Sequence, residues 1–249
     1  MTGDLSPPPI EHEKLDFVKA DVTQWTDLKA LFKRAKELHS RIDHVFANAG
    51  ISGRADYMAD DLDEEGELQE PSTVTYDINL KGVINTSYLG IHYMRHQEPA
   101  GGSVVLTGSA SGFQRFRITD YCTVKHGVIG FMRGMVPNLE ASGLPIRINA
   151  LTPSWTVTGM VPEPVAQALG GVQTPEAVAR SAALLMADEA RQGQLIYSWQ
   201  GRYKEIEEGV LMKAGAEITG QEEDEDLAIA RVLKAAAAAA GSGGSLGGS

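Results

Sequence analysis

The feature that most constrains this chain is a repeated alternation of short apolar strands with amphipathic helices. From Leu15, DFVKADV reads as a strand and TDLKALFKRAKELHS as a helix, with apolar residues at helical spacing. IDHVFANAG is a second strand ending in a small-residue turn, and the acidic run ADDLDEEGELQE after it reads as a solvated connection. Val74 to His96 is a long helix with an apolar face, and GGSVVLTGSASG is a strand running into a Gly/Ser turn. Asp120 to Ala141 is the next helix and PIRINALTP the next strand. TPEAVARSAALLMAD follows as a helix whose Thr174 and Pro175 suit the N-cap and first helical position. Repeated β-α alternation implies strands that run parallel, so the expected fold is α/β, a Rossmann-like doubly wound parallel sheet.

The 249 residues, 43% hydrophobic and 22% charged, fit one α/β domain, expected over residues 15–234. Residues 1–14 carry three consecutive prolines and read as disordered or irregular, while 235–249 form a low-complexity Ala/Gly/Ser tail. A net charge of -11 repels phosphates, which excludes nucleic acid and an anionic membrane surface and leaves a small molecule as the expected partner. No apolar run approaches the roughly 20 residues that span a bilayer, and no secretion signal opens the chain. A single cysteine, Cys122, forms no internal disulfide, and no Cys/His cluster has metal-ligand spacing. The expectation is a cytoplasmic protein without a metal.

The residues that carry chemistry lie in GSASGFQRFRITDYCTVKHGVIG. Tyr121 and Lys125 are four apart, which on a helix places them on one face, where an ammonium near a phenol is expected to lower its pKa. Tyr121 then acts as an acid/base near neutral pH. A hydroxyl at the end of the preceding strand, Ser109 or Ser111, can donate to a substrate carbonyl oxygen and stabilise charge developing there. The residues alone leave both open.

With this triplet in a strand, Gly/Ser turn and helix context, the chain resembles the short-chain dehydrogenase/reductase family, fungal-type members included, from about Asp16 to Tyr203. The resemblance implies NAD(P), a carbonyl or secondary alcohol substrate, and an Asn79, Ser109, Tyr121, Lys125 tetrad in which Asn79 holds a water in a proton relay to Lys125. It further implies that Asp21 and Val22, in the ADV turn, meet the adenine. Asn48, Ala49 and Gly50, as the NAG motif, let the backbone approach the ribose. Lys81 is placed near the cofactor, and Pro153, Thr156 and Thr158 near the nicotinamide, with Ser154 standing where the family usually has glycine. Family members assemble through their two long helices, so a homo-oligomer, dimer or tetramer, is expected through Val74 to His96 and Asp120 to Ala141.

One family element is not found in the sequence. A complete member opens with a strand, a glycine-rich turn, a helix and a second strand, but a βαβ unit takes roughly 30 or more residues. Only about 14 residues precede the first expected strand here. The sheet is therefore expected to be incomplete at its N-terminal side, with the first β-α-β unit missing, and cofactor binding is expected to be weak. The alternatives are a cofactor-independent isomerase or cyclase using Tyr121 and Lys125, and a non-catalytic scaffold.

Overall fold

The computed structural model describes residues 1–161, 163–220 and 225–242. They divide into two compact units, Met1–Ile206 and Glu207–Ser249. The first unit holds two sheets. Strands β1 (Thr2–Asp4) and β2 (Phe17–Lys19) pair with each other, and β3 (His44–Ala47), β4 (Gly102–Thr107), β5 (Ile146–Pro153), β6 (Leu195–Trp199) and β7 (Arg202–Glu205) follow in that order in a second sheet. Only the β6-β7 pair is antiparallel.

Strand β4 illustrates why these residues form a buried parallel sheet. It is a short apolar run after paired glycines, and Val104, Val105 and Leu106 are all fully buried, so both of its faces are covered. On one face Val105, Leu151 and Ile196 pack with Ala182 and Leu185 of α6 (Pro175–Ala187). On the other, Val104 is the register partner of Val45, and Val45 lies against Gly90 of α3 (Val83–Arg95). A Cβ on Gly90 would come within 2.8 Å of Val45, so that helix meets the sheet closely because a side chain is absent there. Helices on both faces make the sheet doubly wound, as the alternation in the sequence implies. The last turn of α6 is fixed by Arg147, whose guanidinium donates to the carbonyls of Leu185, Met186 and Arg191 at 2.9–3.0 Å.

Several details depart from the sequence reading. The irregular N-terminal segment contains a strand: Thr2 N donates to Asp16 O at 2.7 Å and Ala20 N to Asp4 O at 2.9 Å, so backbone pairing orders a tripeptide with no apolar pattern. Between β1-β2 and β3 lies a cleft of about 720 Å³, lined by Thr2, Gly3, Val22, Val45, Asn48 and Ala49 among others. The long helix read from Val74 is interrupted, with α2 (Val74–Tyr76) and α3 joined by a π-helical segment, Asp77–Gly82. Strands β6 and β7 form a hairpin that the sequence reading did not contain. Gln200 and Gly201 take φ of 47° and 75° between the paired residues Trp199 and Arg202, the doubly positive geometry of a two-residue hairpin turn.

The other helices of this unit are α1 (Trp25–His39), α4 (Thr119–Ser142) and α5 (Glu163–Leu169). In the second unit a π-helical turn, Glu207–Leu211, precedes α7 (Met212–Thr219) and α8 (Glu225–Ser242). Residue 234 lies inside α8, which takes in the alanine run, and the first compact unit closes at Ile206. The Gly/Ser end of the expected tail, 243–249, lies outside the described residues. Among the described residues no helix is long and apolar enough to cross a membrane.

Leu185 is fully buried between α6 and the sheet. Leu185→Ala should lower the unfolding free energy by about 2–5 kcal/mol, the range for a truncated core leucine. Urea unfolding followed by far-UV circular dichroism measures it, and a loss under about 1 kcal/mol would mean that α6 does not depend on this contact.

Candidate active site

Helix α4 begins immediately after the segment that leaves β4, so its first turns face the C-terminal ends of the central strands. Its first turn holds a buried carboxylate, Asp120, which accepts from Tyr121 N at 2.7 Å, Arg54 N at 2.8 Å and Ala55 N at 3.2 Å. Burial alone would raise this carboxyl. The adjoining Thr75 hydroxyl and the three amides outweigh burial and hold it below the ordinary 3.8. Gly53 is required for this approach, because a Cβ there would collide with Asp120 Oδ1 and Ile118 Cγ2. Nothing in the sequence reading singled out Asp120, since an acid in the first turn of a helix is ordinary.

Tyr121 and Lys125 follow on the same helix. Lys125 is 2% exposed and its Nζ donates to Thr107 O, the last carbonyl of β4, at 2.7 Å. The same threonine donates its hydroxyl to Asn48 Oδ1 at 2.8 Å, so Thr107 links the turn after β3 to the buried ammonium. Burial pushes Lys125 down to about 8. Burial also pushes the Tyr121 phenol above its ordinary 10.0, with the hydroxyl of Ser109 beside it acting in the opposite sense. This corrects the expectation that the lysine lowers the phenol. The ammonium sits 5.5 Å from the centre of the tyrosine ring, facing the ring, and desolvation dominates both groups.

The two serine alternatives are separated by position. Ser109 stands beside Tyr121, and its Oγ accepts from Ser111 N at 3.2 Å. Ser111 is buried, with no hydrogen-bond partner for its hydroxyl among the described residues. The Asn79 amide exchanges both hydrogen bonds with the Ile51 backbone at 2.8 Å, so the side chain braces the segment after the NAG turn. It lies in the π-helical segment, 3.3 Å from where a Cβ on Gly50 would be.

The remaining expected residues fall in two places. Val22, Asn48 and Ala49 line the cleft beside β3. Asp21 closes its own turn, its Oδ1 accepting from the amide and hydroxyl of Thr23 at 2.9 and 2.8 Å. Lys81 is 63% exposed at its side chain and lies 3.8 Å from Asp77 of the same π-helical segment. Pro153 ends β5, Thr156 Oγ1 donates to Ser154 O at 2.9 Å, and Thr158 Oγ1 accepts from Met160 N at 3.2 Å. This loop is held by Gln173, another residue without a sequence signal. Gln173 is buried; its Nε2 donates to Ser198 O and its Oε1 accepts from Ser198 Oγ, both at 2.9 Å. Its backbone bonds Trp155 O and Val157 N at 3.0 Å each.

A phenol, an adjacent hydroxyl and a buried lysine thus come together beside the end of β4. The sequence matches the short chain dehydrogenase family over residues 9–168. It is 46% identical over 242 residues to the short-chain dehydrogenase/reductase ascJ of Acremonium egyptiacum, covering 94% of this chain and 82% of that protein. It is 36% identical over 190 residues to the short-chain dehydrogenase/reductase prx4 of Penicillium rubens, where the match covers 75% of this chain but 56% of the relative. The structure resembles that of a short-chain type dehydrogenase/reductase from Mycobacterium marinum at a TM-score of 0.63 and 26% identity, over 74% of each chain. The chain belongs to the short-chain dehydrogenase/reductase family of oxidoreductases.

The depressed lysine pKa fixes the sign of a pH effect. Between about 8 and 10.5 the unfolded chain binds more protons at Lys125 than the folded one, so stability rises with pH across that window. The full rise from this residue is about 3 kcal/mol at 1.36 kcal/mol per pH unit. Unfolding free energies from urea titration of the native chain and Lys125→Met, compared across the window, should diverge by this amount. Parallel curves would show that the lysine titrates normally.

Proposed function

We propose that the protein interconverts a carbonyl and a secondary alcohol with NAD(P), Tyr121 exchanging the proton. The observation that carries this reading is the buried Lys125 Nζ. Its one hydrogen bond among the described residues goes to Thr107 O, which leaves two N–H donors for the hydroxyls of a ribose. Val22, Asn48 and Ala49 along the cleft, with Asp21 and Gly50 in the same turns, suit the adenosine end. Pro153, Thr156 and Thr158 suit the nicotinamide end. A bound nicotinamide supplies the hydride in reduction and takes it up in oxidation.

The chain's own groups manage the proton and the oxygen. The Ser109 hydroxyl donates to the carbonyl oxygen and holds it beside the phenol. Tyr121, kept protonated by burial at neutral pH, gives its O–H proton to that oxygen as negative charge develops. Lys125, at about 8, is mostly protonated at neutral pH and supports the phenolate left behind. Asn79 acts indirectly, fixing Ile51 and with it the turn that carries Asn48. Tyr121→Phe should abolish turnover, because it removes the phenolic proton and leaves the ring. Measured by cofactor absorbance with a panel of ketones, residual activity near that of the native chain would sink the assignment.

Cofactor affinity is expected to be weak. The turn after β2, residues 20–24, contains no glycine, and Gly50 and Gly53 after β3 are committed to contacts with Asn79 and Asp120. A pyrophosphate lodged here lacks a glycine-rich cradle of backbone N–H groups. Each charge-assisted hydrogen bond forgone is worth about 1.5–3 kcal/mol, so two of them weaken binding by about two decades or more. Titration of NADH and NADPH fluorescence should show no saturation at micromolar cofactor, and a micromolar dissociation constant would mean that another segment takes the pyrophosphate.

A further inference from the structure

One aromatic ring stands beside Tyr121, and a second packs against the first. The Phe116 ring lies 6.2 Å from that of Tyr121 and 5.8 Å from that of Trp155, tilted by 51° and 48°. Phe116 comes from the segment between β4 and α4, Trp155 from the loop after β5, so the contact closes the site from two sides. Trp155 is 38% exposed, a large apolar surface left open one ring beyond Tyr121. Its loop is nonetheless held: Trp155 O accepts from Gln173 N at 3.0 Å, Ser154 N donates to Ser198 O at 2.8 Å, and the Gln173 side chain is locked to Ser198 at 2.9 Å. Exposed apolar surface that is kept in place beside reactive groups is the mark of a ligand-facing wall.

We propose that Phe116 and Trp155 are specificity-determining residues that select substrates bearing a flat, apolar, unsaturated ring next to the reacting carbonyl or alcohol. Offset and edge-to-face contacts between π systems contribute beyond the burial of area, and a puckered saturated ring of the same size does not gain them. The proposal rests on the reading of Tyr121 as the group that meets the carbonyl oxygen.

The test is binding of acetophenone and cyclohexyl methyl ketone, which share a methyl ketone head and differ in the flatness of the ring. Saturation-transfer NMR or calorimetry on the full chain measures both. The native chain should prefer acetophenone, and Phe116→Leu or Trp155→Leu should each weaken acetophenone by about two- to tenfold while changing cyclohexyl methyl ketone less than about twofold. Phe116→Tyr, which keeps the ring and serves as the folding control, should retain the preference. Equal affinities in the native chain, or equal losses for both ketones in the leucine variants, would overturn the proposal. Tyr121→Phe separates the two levels. It should weaken both ketones alike by removing the donor to their shared head, and if it alters neither, the carbonyl reading fails, whatever the leucine variants show.

Discussion

A carboxylate buried in the first turn of α4 holds the site together. Asp120 is fully buried and kept charged, which would cost several kcal/mol if it were unpaired. Three amides and the positive end of the helix offset that cost. Because one of those amides belongs to Tyr121 and the others to Arg54 and Ala55, a single group joins the phenol's helix to the segment that follows the NAG turn. Asn79 braces the same segment through Ile51. The two ends of the region are thus fixed largely through backbone amides and carbonyls.

Burial sets the electrostatics inside this frame. The lysine and the phenol are each pushed toward their neutral forms, and neither group neutralises the other. Apolar burial that raises a phenol keeps it a proton donor, while a lysine near 8 remains responsive to whatever approaches it. The cost is carried by the fold as a whole, through the well-packed layer of Val105, Leu151, Leu185 and Ile196 beneath.

Much of the fold was legible because its signals are local. Strands such as β4 and β5 are apolar runs bounded by glycine and proline, and the spacing of Tyr121 and Lys125 becomes proximity as soon as a helix forms. Strand β1 was not legible: three polar residues carry no period, and only pairing with Phe17–Lys19 orders them. The π-helical segment at DINLKG has no compositional mark, and the β6-β7 hairpin hides behind a turn in which Gln200 adopts a positive φ that its type rarely takes. Gln173 escapes for another reason, since its partner Ser198 is 25 residues away. The direction of the Tyr121 shift depends on how many atoms surround it, which spacing along a helix does not encode.

The Gln173 clamp has a consequence for recognition. A loop that orders only when a ligand arrives spends part of the interaction energy on its own lost freedom, roughly 0.5–1.5 kcal/mol for each side chain immobilised. Here the backbone around Trp155 and Thr156 is already tied to the end of β6 through hydrogen bonds from buried groups. The entropy has been surrendered during folding. Association at this edge of the sheet should therefore resemble docking against a finished surface, with on-rates set by diffusion and orientation and little change in the chain's hydrogen-exchange pattern on binding.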